Sequence, residues 1–408
     1  MRALIFLILV SSACDGRGEA VKVAMSPDGE LLRDGRPYFV KGAGAHEHFD
    51  ELARRGGNAV RTWSEHELGA TLEEAGKLGL TVCAGIWLEQ ECSWFSYRQT
   101  EHCTKQLERV RGIIRQHRSH PALLLWGLGN ESEGDGRNEA YWRQLDRLAQ
   151  MVHQEDPAHP AFTAVAGLTA EKAAALNRHA PDLDLVGINT YGALSGLREH
   201  LFKLGWTRPW IVTEFGPQGF WEAPRTPWNA PLEQTSTLKA TMIRRGYEKA
   251  IAPGGRCAGG CVFLWGRKQE ATATWFGVFT EQDEATATAD VLQELWTGKA
   301  PANRAPELES LKCNVTTLKP SEEFTAEVEA SDPEGDVLRF HWEITDDLKH
   351  PGPDGCELPP DVMHGLILAN GARAAIKAPD KPGPYRVFVF VSDGRGHAAT
   401  ANVPVLVK

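Results

Sequence analysis

Leu123-Leu124-Leu125-Trp126-Gly127-Leu128-Gly129-Asn130-Glu131 is the stretch on which the fold turns. An apolar run closes on a tryptophan, two glycines, an amide and a carboxylate. The run is short and suits a strand buried on both faces. Its polar residues gather at the C-terminal end, the end that carries the active site in a parallel barrel. A second run has the same shape: Ile211-Val212-Thr213-Glu214-Phe215-Gly216 is also apolar and also runs into a glutamate.

Outward from these two runs, strand and helix patterns alternate. Strands are expected at 38–45, 58–63, 80–88, 122–130, 161–166, 183–191, 210–215 and 260–265. Helical patterns fall near 49–55, 65–78, 101–118, 138–155, 170–179, 194–203, 233–251 and 287–296. Eight such units imply an α/β fold, a (β/α)8 TIM barrel. A doubly wound open sheet is the rival, but no strand is followed by a glycine-rich phosphate loop. Glu131 then ends strand four and Glu214 ends strand seven.

Residues 21–37 read as a hairpin covering the bottom of the barrel, so the catalytic unit is 21–297. Residues 298–305 form a linker. From 306 to 408 the texture changes to short alternating segments at 324–329, 338–344, 373–377, 385–392 and 399–407, separated by turns rich in Asp, Pro and Gly. That spacing implies a C-terminal immunoglobulin-like β-sandwich. Its turn at Asp332, Glu334 and Asp336 is acidic but lacks a full calcium loop.

The chain has 408 residues, 42% hydrophobic and 24% charged, as in an ordinary globular protein. Its formal net charge of -10 argues against a nucleic-acid partner. Residues 1–20 read as a processing segment: Arg2, an apolar run over 3–10, then Ser11-Ser12-Ala13-Cys14. The run is too short to span a bilayer. Ending at a cysteine, it resembles a bacterial lipoprotein signal, which implies export to the periplasm or cell surface with a lipid anchor on Cys14; the position usually held by leucine is Ser11. Ordinary secretion is the alternative. The spacing of the remaining cysteines suggests three local disulfides, Cys92–Cys103, Cys257–Cys261 and Cys313–Cys356, with Cys83 a buried free thiol.

Two carboxyl groups at the top of one barrel are what glycoside hydrolysis requires. One protonates the leaving oxygen, and the other attacks the anomeric carbon or activates water. The proton donor needs a raised pKa, which burial and its partner's charge supply. The run 119–131, Ser-His-Pro-Ala-Leu-Leu-Leu-Trp-Gly-Leu-Gly-Asn-Glu, resembles the acid/base signature of glycoside hydrolase family 2. Val212-Thr213-Glu214-Phe215-Gly216 is similar to the nucleophile strand of the same clan, clan A. The resemblance implies a retaining glycoside hydrolase acting on β-linked glycosides or glycans by double displacement. Glu131 would be the acid/base and Glu214 the nucleophile. The sandwich follows the barrel here, whereas family 2 enzymes usually carry their β-domains before it.

The resemblance implies further roles. Asn130 would hydrogen-bond the sugar 2-hydroxyl, Arg61 would hold the nucleophile ionised, Tyr191 would hydrogen-bond it, and Trp265 would floor the innermost subsite. His46 and His48, at the top of strand one, suit either substrate contact or a structural role. Several tryptophans, Trp63, Trp87, Trp94, Trp221, Trp228 and Trp275, fall near strand ends and suit either subsites or core. Glu89, Glu91, Glu133 and Glu270 are the other acids near strand tops. The expected chemistry needs no metal or organic cofactor, and the expected partner is a carbohydrate. A transglycosylase using the same two glutamates, or a non-catalytic carbohydrate-binding surface lipoprotein, are the alternative readings.

Overall fold

The computed structural model describes residues 21–352 and 356–408. The processing segment and Cys14 lie outside them. Eight parallel strands close into a barrel: Val40–Ala45, Ala59–Arg61, Thr81–Ile86, Leu123–Asn130, Ala161–Ala166, Leu185–Asn189, Trp210–Phe215 and Cys257–Trp265. They are numbered one to eight below. Strand three (Thr-Val-Cys-Ala-Gly-Ile) is buried throughout, and strand four is buried up to Asn130. Both therefore read as continuous apolar runs, as parallel strands covered on both faces do.

The helices α1 Phe49–Arg54, α2 Leu68–Lys77, α3 Thr100–His117, α4 Glu139–Glu155, α5 Ala170–His179, α6 Leu197–Lys203, α7 Ser236–Gly246 and α8 Ala287–Thr297 form the outer layer. Helix α4 shows why its sequence is helical. The Asn138 side chain caps it, accepting from the backbone N–H of Ala140 at 3.1 Å. Leu145, Leu148 and Val152 recur on one face and are fully buried. Each contributes about 1.5–3 kcal/mol by leaving water. Among the described residues no helix is long and apolar enough to cross a membrane.

The N-terminal hairpin, Val23–Met25 against Leu31–Arg33, closes the barrel's lower end. Val23 and Leu31 pack with Val40, Cys83 and Leu124 there, and the Val23 N–H reaches Ala158 O at 2.8 Å. After α8 the chain builds two four-stranded sheets. One holds Glu307–Cys313, Glu323–Ser331, Arg373–Lys377 and Ile367–Ala369; the other holds Thr317–Leu318, Ala398–Val407, Gly383–Ser392 and Arg339–Asp346. Trp342, Val387, Val389 and Phe324 fill the space between them. The sandwich docks on the barrel: Ala285 exchanges backbone hydrogen bonds with Gly396 and Ala398 at 2.9 and 3.0 Å. Asp332 Oδ1 accepts from the N–H groups of Glu334 and Asp336, both at 2.9 Å, so that acidic segment is a self-bonded turn.

The disulfides expected from spacing do not form. Cys92, Cys103, Cys257, Cys261 and Cys313 are free thiols, as is the buried Cys83. Cys257 and Cys261 lie four residues apart on one extended strand. That separates them by about 13 Å, whereas a disulfide needs Cα atoms within about 7 Å. Cys103 turns into the core toward Tyr97 O, and Cys92 sits exposed on its loop. Cys313 packs against the sandwich core, while Cys356 lies beside the short hairpin His350–Pro351/Glu357–Leu358.

Candidate active site

The C-terminal ends of the barrel strands surround a cavity of about 930 Å³. Strand four turns sharply into it. Gly129 has φ 79° and Glu131 has φ 50°, both in the left-handed region. Glycine adopts that conformation freely, whereas for glutamate it costs about 1–3 kcal/mol. The Glu131 N–H, bonded to Ala164 O at 2.8 Å, helps hold the turn. Glu131 is thereby aimed into the cavity instead of continuing the strand.

Glu214 ends strand seven on the opposite wall, with its side chain 7% exposed. Three side chains donate to it. Arg61 Nη1 lies 2.5 Å and Trp63 Nε1 2.7 Å from Oε1, and Tyr191 Oη lies 2.6 Å from Oε2. Arg61 is itself 2% exposed, so this is a buried ion pair with a full set of partners on the carboxylate. Burial, the Glu214 charge and the hydrogen bond to Glu214 all push the Tyr191 phenol well above its ordinary value, so it remains a donor.

Glu131 has different surroundings. Asn189 Nδ2 donates to its Oε1 at 2.7 Å, and among the described residues no cation forms an ion pair with it. Burial raises its pKa first. The Asn189 hydrogen bond opposes this, and the charges of Glu214 and Glu133 add to it; the resultant is upward. The two carboxyl groups are joined by a chain of side chains. Asn130 Oδ1 accepts from Arg61 Nη2 at 2.5 Å and from Asn189 Nδ2 at 3.1 Å. Thr213 Oγ1 donates to Asn189 Oδ1 at 2.7 Å, which orients that amide. The Asn130 amide nitrogen is left facing the cavity.

Six of the eight residues expected to act on the substrate or bind it meet at this site: Glu131, Glu214, Asn130, Arg61, Tyr191 and His46. His46 lines the cavity with its ring 5.3 Å from that of Trp63, and burial lowers its pKa. The other two do not line it. His48 stands behind the rim, stacked on Phe279 at 4.6 Å and 3.4 Å from Asp283. Trp265 is fully buried, donates to His48 O at 3.0 Å and packs on Trp296. The cause is a register shift between Val262 and Trp265 in the pairing of strand eight with strand one. One inserted residue moves a side chain to the other face of a sheet. Phe263 and Leu264 line the cavity in its place.

The sequence leaves Trp63 between subsite and core and gives Asn189 no role, although strand periodicity holds the signal for both. Trp63 is two residues beyond Arg61, and Asn189 two before Tyr191, so each pair shares a face. Gly44 makes room for Trp63: a Cβ there would lie 2.6 Å from the indole. Trp221, Glu222, Arg267, Lys268 and Glu270 complete the rim from the loops after strands seven and eight. The rim cations are already matched. Lys268 lies 2.6 Å from Glu270, and Arg267 lies 3.6 Å from Glu47 and 3.5 Å from Asp283.

Residues 52–222 match the family model described as glycosyl hydrolases family 2, TIM barrel domain. Among solved structures, the chain is similar to a β-glucuronidase from Faecalibacterium prausnitzii with a TM-score of 0.56 and 18% identity, over 68% of this chain and 52% of that one. A calcium-binding mutant of Bacteroides uniformis β-glucuronidase 2 gives 0.53 and 15%, over 95% and 47%. A family 2 β-galacturonidase from Eisenbergiella tayi, bound to galacturonate, gives 0.54 and 16%, over 69% and 54%. At these identities the likeness is one of fold. The chain spans about half the length of the structures it matches.

Proposed function

Residues 52–222 match the TIM-barrel domain of the family 2 glycosyl hydrolases, and from that match we propose that the chain is a retaining hydrolase of β-linked glycosides. The observation that carries the proposal is the contrast between its two carboxyl groups. Glu214 is held by Arg61, Trp63 and Tyr191. Glu131 has one neutral donor and a raised pKa. A pair of carboxyl groups whose environments differ in this way divides into a base or nucleophile and an acid.

In the first step the Glu214 carboxylate attacks the anomeric carbon while Glu131 gives its proton to the glycosidic oxygen, which leaves as an alcohol. A glycosyl ester on Glu214 results. In the second step Glu131, now ionised, takes a proton from water as the water oxygen attacks the anomeric carbon. Glu214 leaves, and the sugar is released with its original configuration. Asn130 offers its amide N–H to the sugar, and Trp63, Phe263 and Trp221 provide aromatic faces around the ring.

The test is a panel of aryl β-glycosides, neutral and uronic, with proton NMR of the first anomer formed. Turnover with retention supports the proposal. No turnover of any β-glycoside, or formation of the inverted anomer, contradicts it. Export and lipid attachment at Cys14 accompany the proposal; Cys14→Ser should release the protein from the membrane fraction.

A further inference from the structure

We propose that the C-terminal sandwich braces the active-site rim from outside, with Glu357 positioning the barrel loop that carries Glu270. The proposal rests on the hydrolase reading for its consequence in catalysis, but its structural part stands separately.

Two loops supply the outer rim of the cavity: 216–235 after strand seven, with Trp221 and Glu222, and 266–286 after strand eight, with Lys268 and Glu270. The sandwich reaches both. Beyond its strand Arg339–Asp346 the short hairpin His350–Pro351/Glu357–Leu358 extends toward the barrel. Glu357 Oε2 accepts from the Ala271 N–H at 2.8 Å, one residue past Glu270. Ala271 has φ 62°, a left-handed conformation that alanine disfavours. A carboxylate bound to its N–H is therefore what helps keep this turn in place. The other Glu357 oxygen lies 3.3 Å from Lys349 Nζ. That ammonium sits 5.6 Å from the centre of the Phe220 ring, and Phe220 packs edge-on against Trp221 at 4.9 Å.

A second connection lies deeper. Glu233, its side chain 1% exposed, ends the first loop. Its carboxylate accepts from Thr272 at 2.5 Å and Thr274 at 2.8 Å in the second loop, and from Asn402 of the sandwich at 2.5 Å. The buried Lys239 ammonium balances its charge. Both loops are thus fastened to each other and to the sandwich, and the hairpin contacts fix their tips. Glu357 is the dominant positioning residue, since its side chain is 18% exposed against 75% for Lys349.

The experiment compares full-length wild type, Glu357→Ala, Glu357→Gln and Lys349→Met. Hydrogen exchange is followed by peptide mass spectrometry and kinetics are measured on an aryl β-glycoside, with thermal melts to verify folding. Loss of the carboxylate hydrogen bond should speed exchange over 267–276 about tenfold and raise KM about tenfold, with kcat within about twofold. Glu357→Gln retains an acceptor and should restore both. Lys349→Met, at an exposed site, should change KM by no more than about twofold. Unchanged exchange over 267–276 in folded Glu357→Ala overturns the proposal, as does faster exchange with unchanged KM. If wild type turns over no glycoside, the hydrolase reading fails, and the exchange result alone decides whether the sandwich positions the loops.

Discussion

Arg61 and Asn130 share a hydrogen bond of 2.5 Å, while the same guanidinium holds Glu214 at 2.5 Å. One buried cation thus positions both the proposed nucleophile and the amide proposed to bind the sugar. Arg61→Met should leave the Glu214 charge without its cation, in a site where breaking a buried pair costs about 3–5 kcal/mol. We expect a lower melting temperature together with loss of turnover. Chemical denaturation and a kinetic assay of the same preparation check this; a stable, active Arg61→Met would refute the shared role.

Asn130→Ala should lower kcat more than it raises KM. A contact to the sugar 2-hydroxyl strengthens in the transition state, so its loss falls on the chemical step. With a 2-deoxy glycoside as substrate the penalty should shrink. An equal penalty on both substrates would assign Asn130 to holding Arg61 alone.

Tyr191→Phe removes one donor to a charged oxygen, worth about 1.5–3 kcal/mol. The expected fall in kcat/KM is therefore about 10- to 100-fold. Trp63→Phe removes the second neutral donor and should act in the same range. Steady-state kinetics on one good substrate decide both, and effects below about twofold would show that these donors do not matter to the reaction.

Glu131 is raised by burial first and by the charges of Glu214 and Glu133, against the Asn189 hydrogen bond. The folded protein therefore holds this proton more tightly than the unfolded chain. The resulting stability is fully present below the unfolded carboxyl value of about 4.3 and is lost as pH rises through the higher folded value. Glu131→Gln cannot ionise. It should match wild type in thermal melts at pH 4 and exceed it at pH 8. A difference that stays constant from pH 4 to 8 would contradict the raised value.

Much of this architecture was legible in the chain. Eight apolar runs, each followed by a helical pattern, give the barrel, because parallel strands covered on both faces leave continuous hydrophobic signatures. Arg61, Asn130, Glu131, Tyr191 and Glu214 could be placed because each stands at a strand end. Trp265 lies behind the cavity wall through an inserted residue in strand eight, which has no sequence signature as plain as a glycine or proline turn. Trp63 was hidden among many tryptophans, and only its parity with Arg61 marks it. The sandwich strand Glu307–Cys313 carries little strand signal because it buries Leu308 fully but leaves most of its other residues partly or wholly exposed. The contacts of Glu357 with Ala271 and of Asn402 with Glu233 join residues far apart in the chain, where no periodicity reports them.

The proposed mechanism depends most directly on Glu214 as nucleophile. Glu214→Gly should hydrolyse an activated aryl β-glycoside at a rate indistinguishable from background. With azide added, turnover should return and give the α-glycosyl azide, the small anion attacking from the face the carboxylate has vacated. Normal hydrolysis by Glu214→Gly without azide, releasing the β-configured sugar, would contradict it.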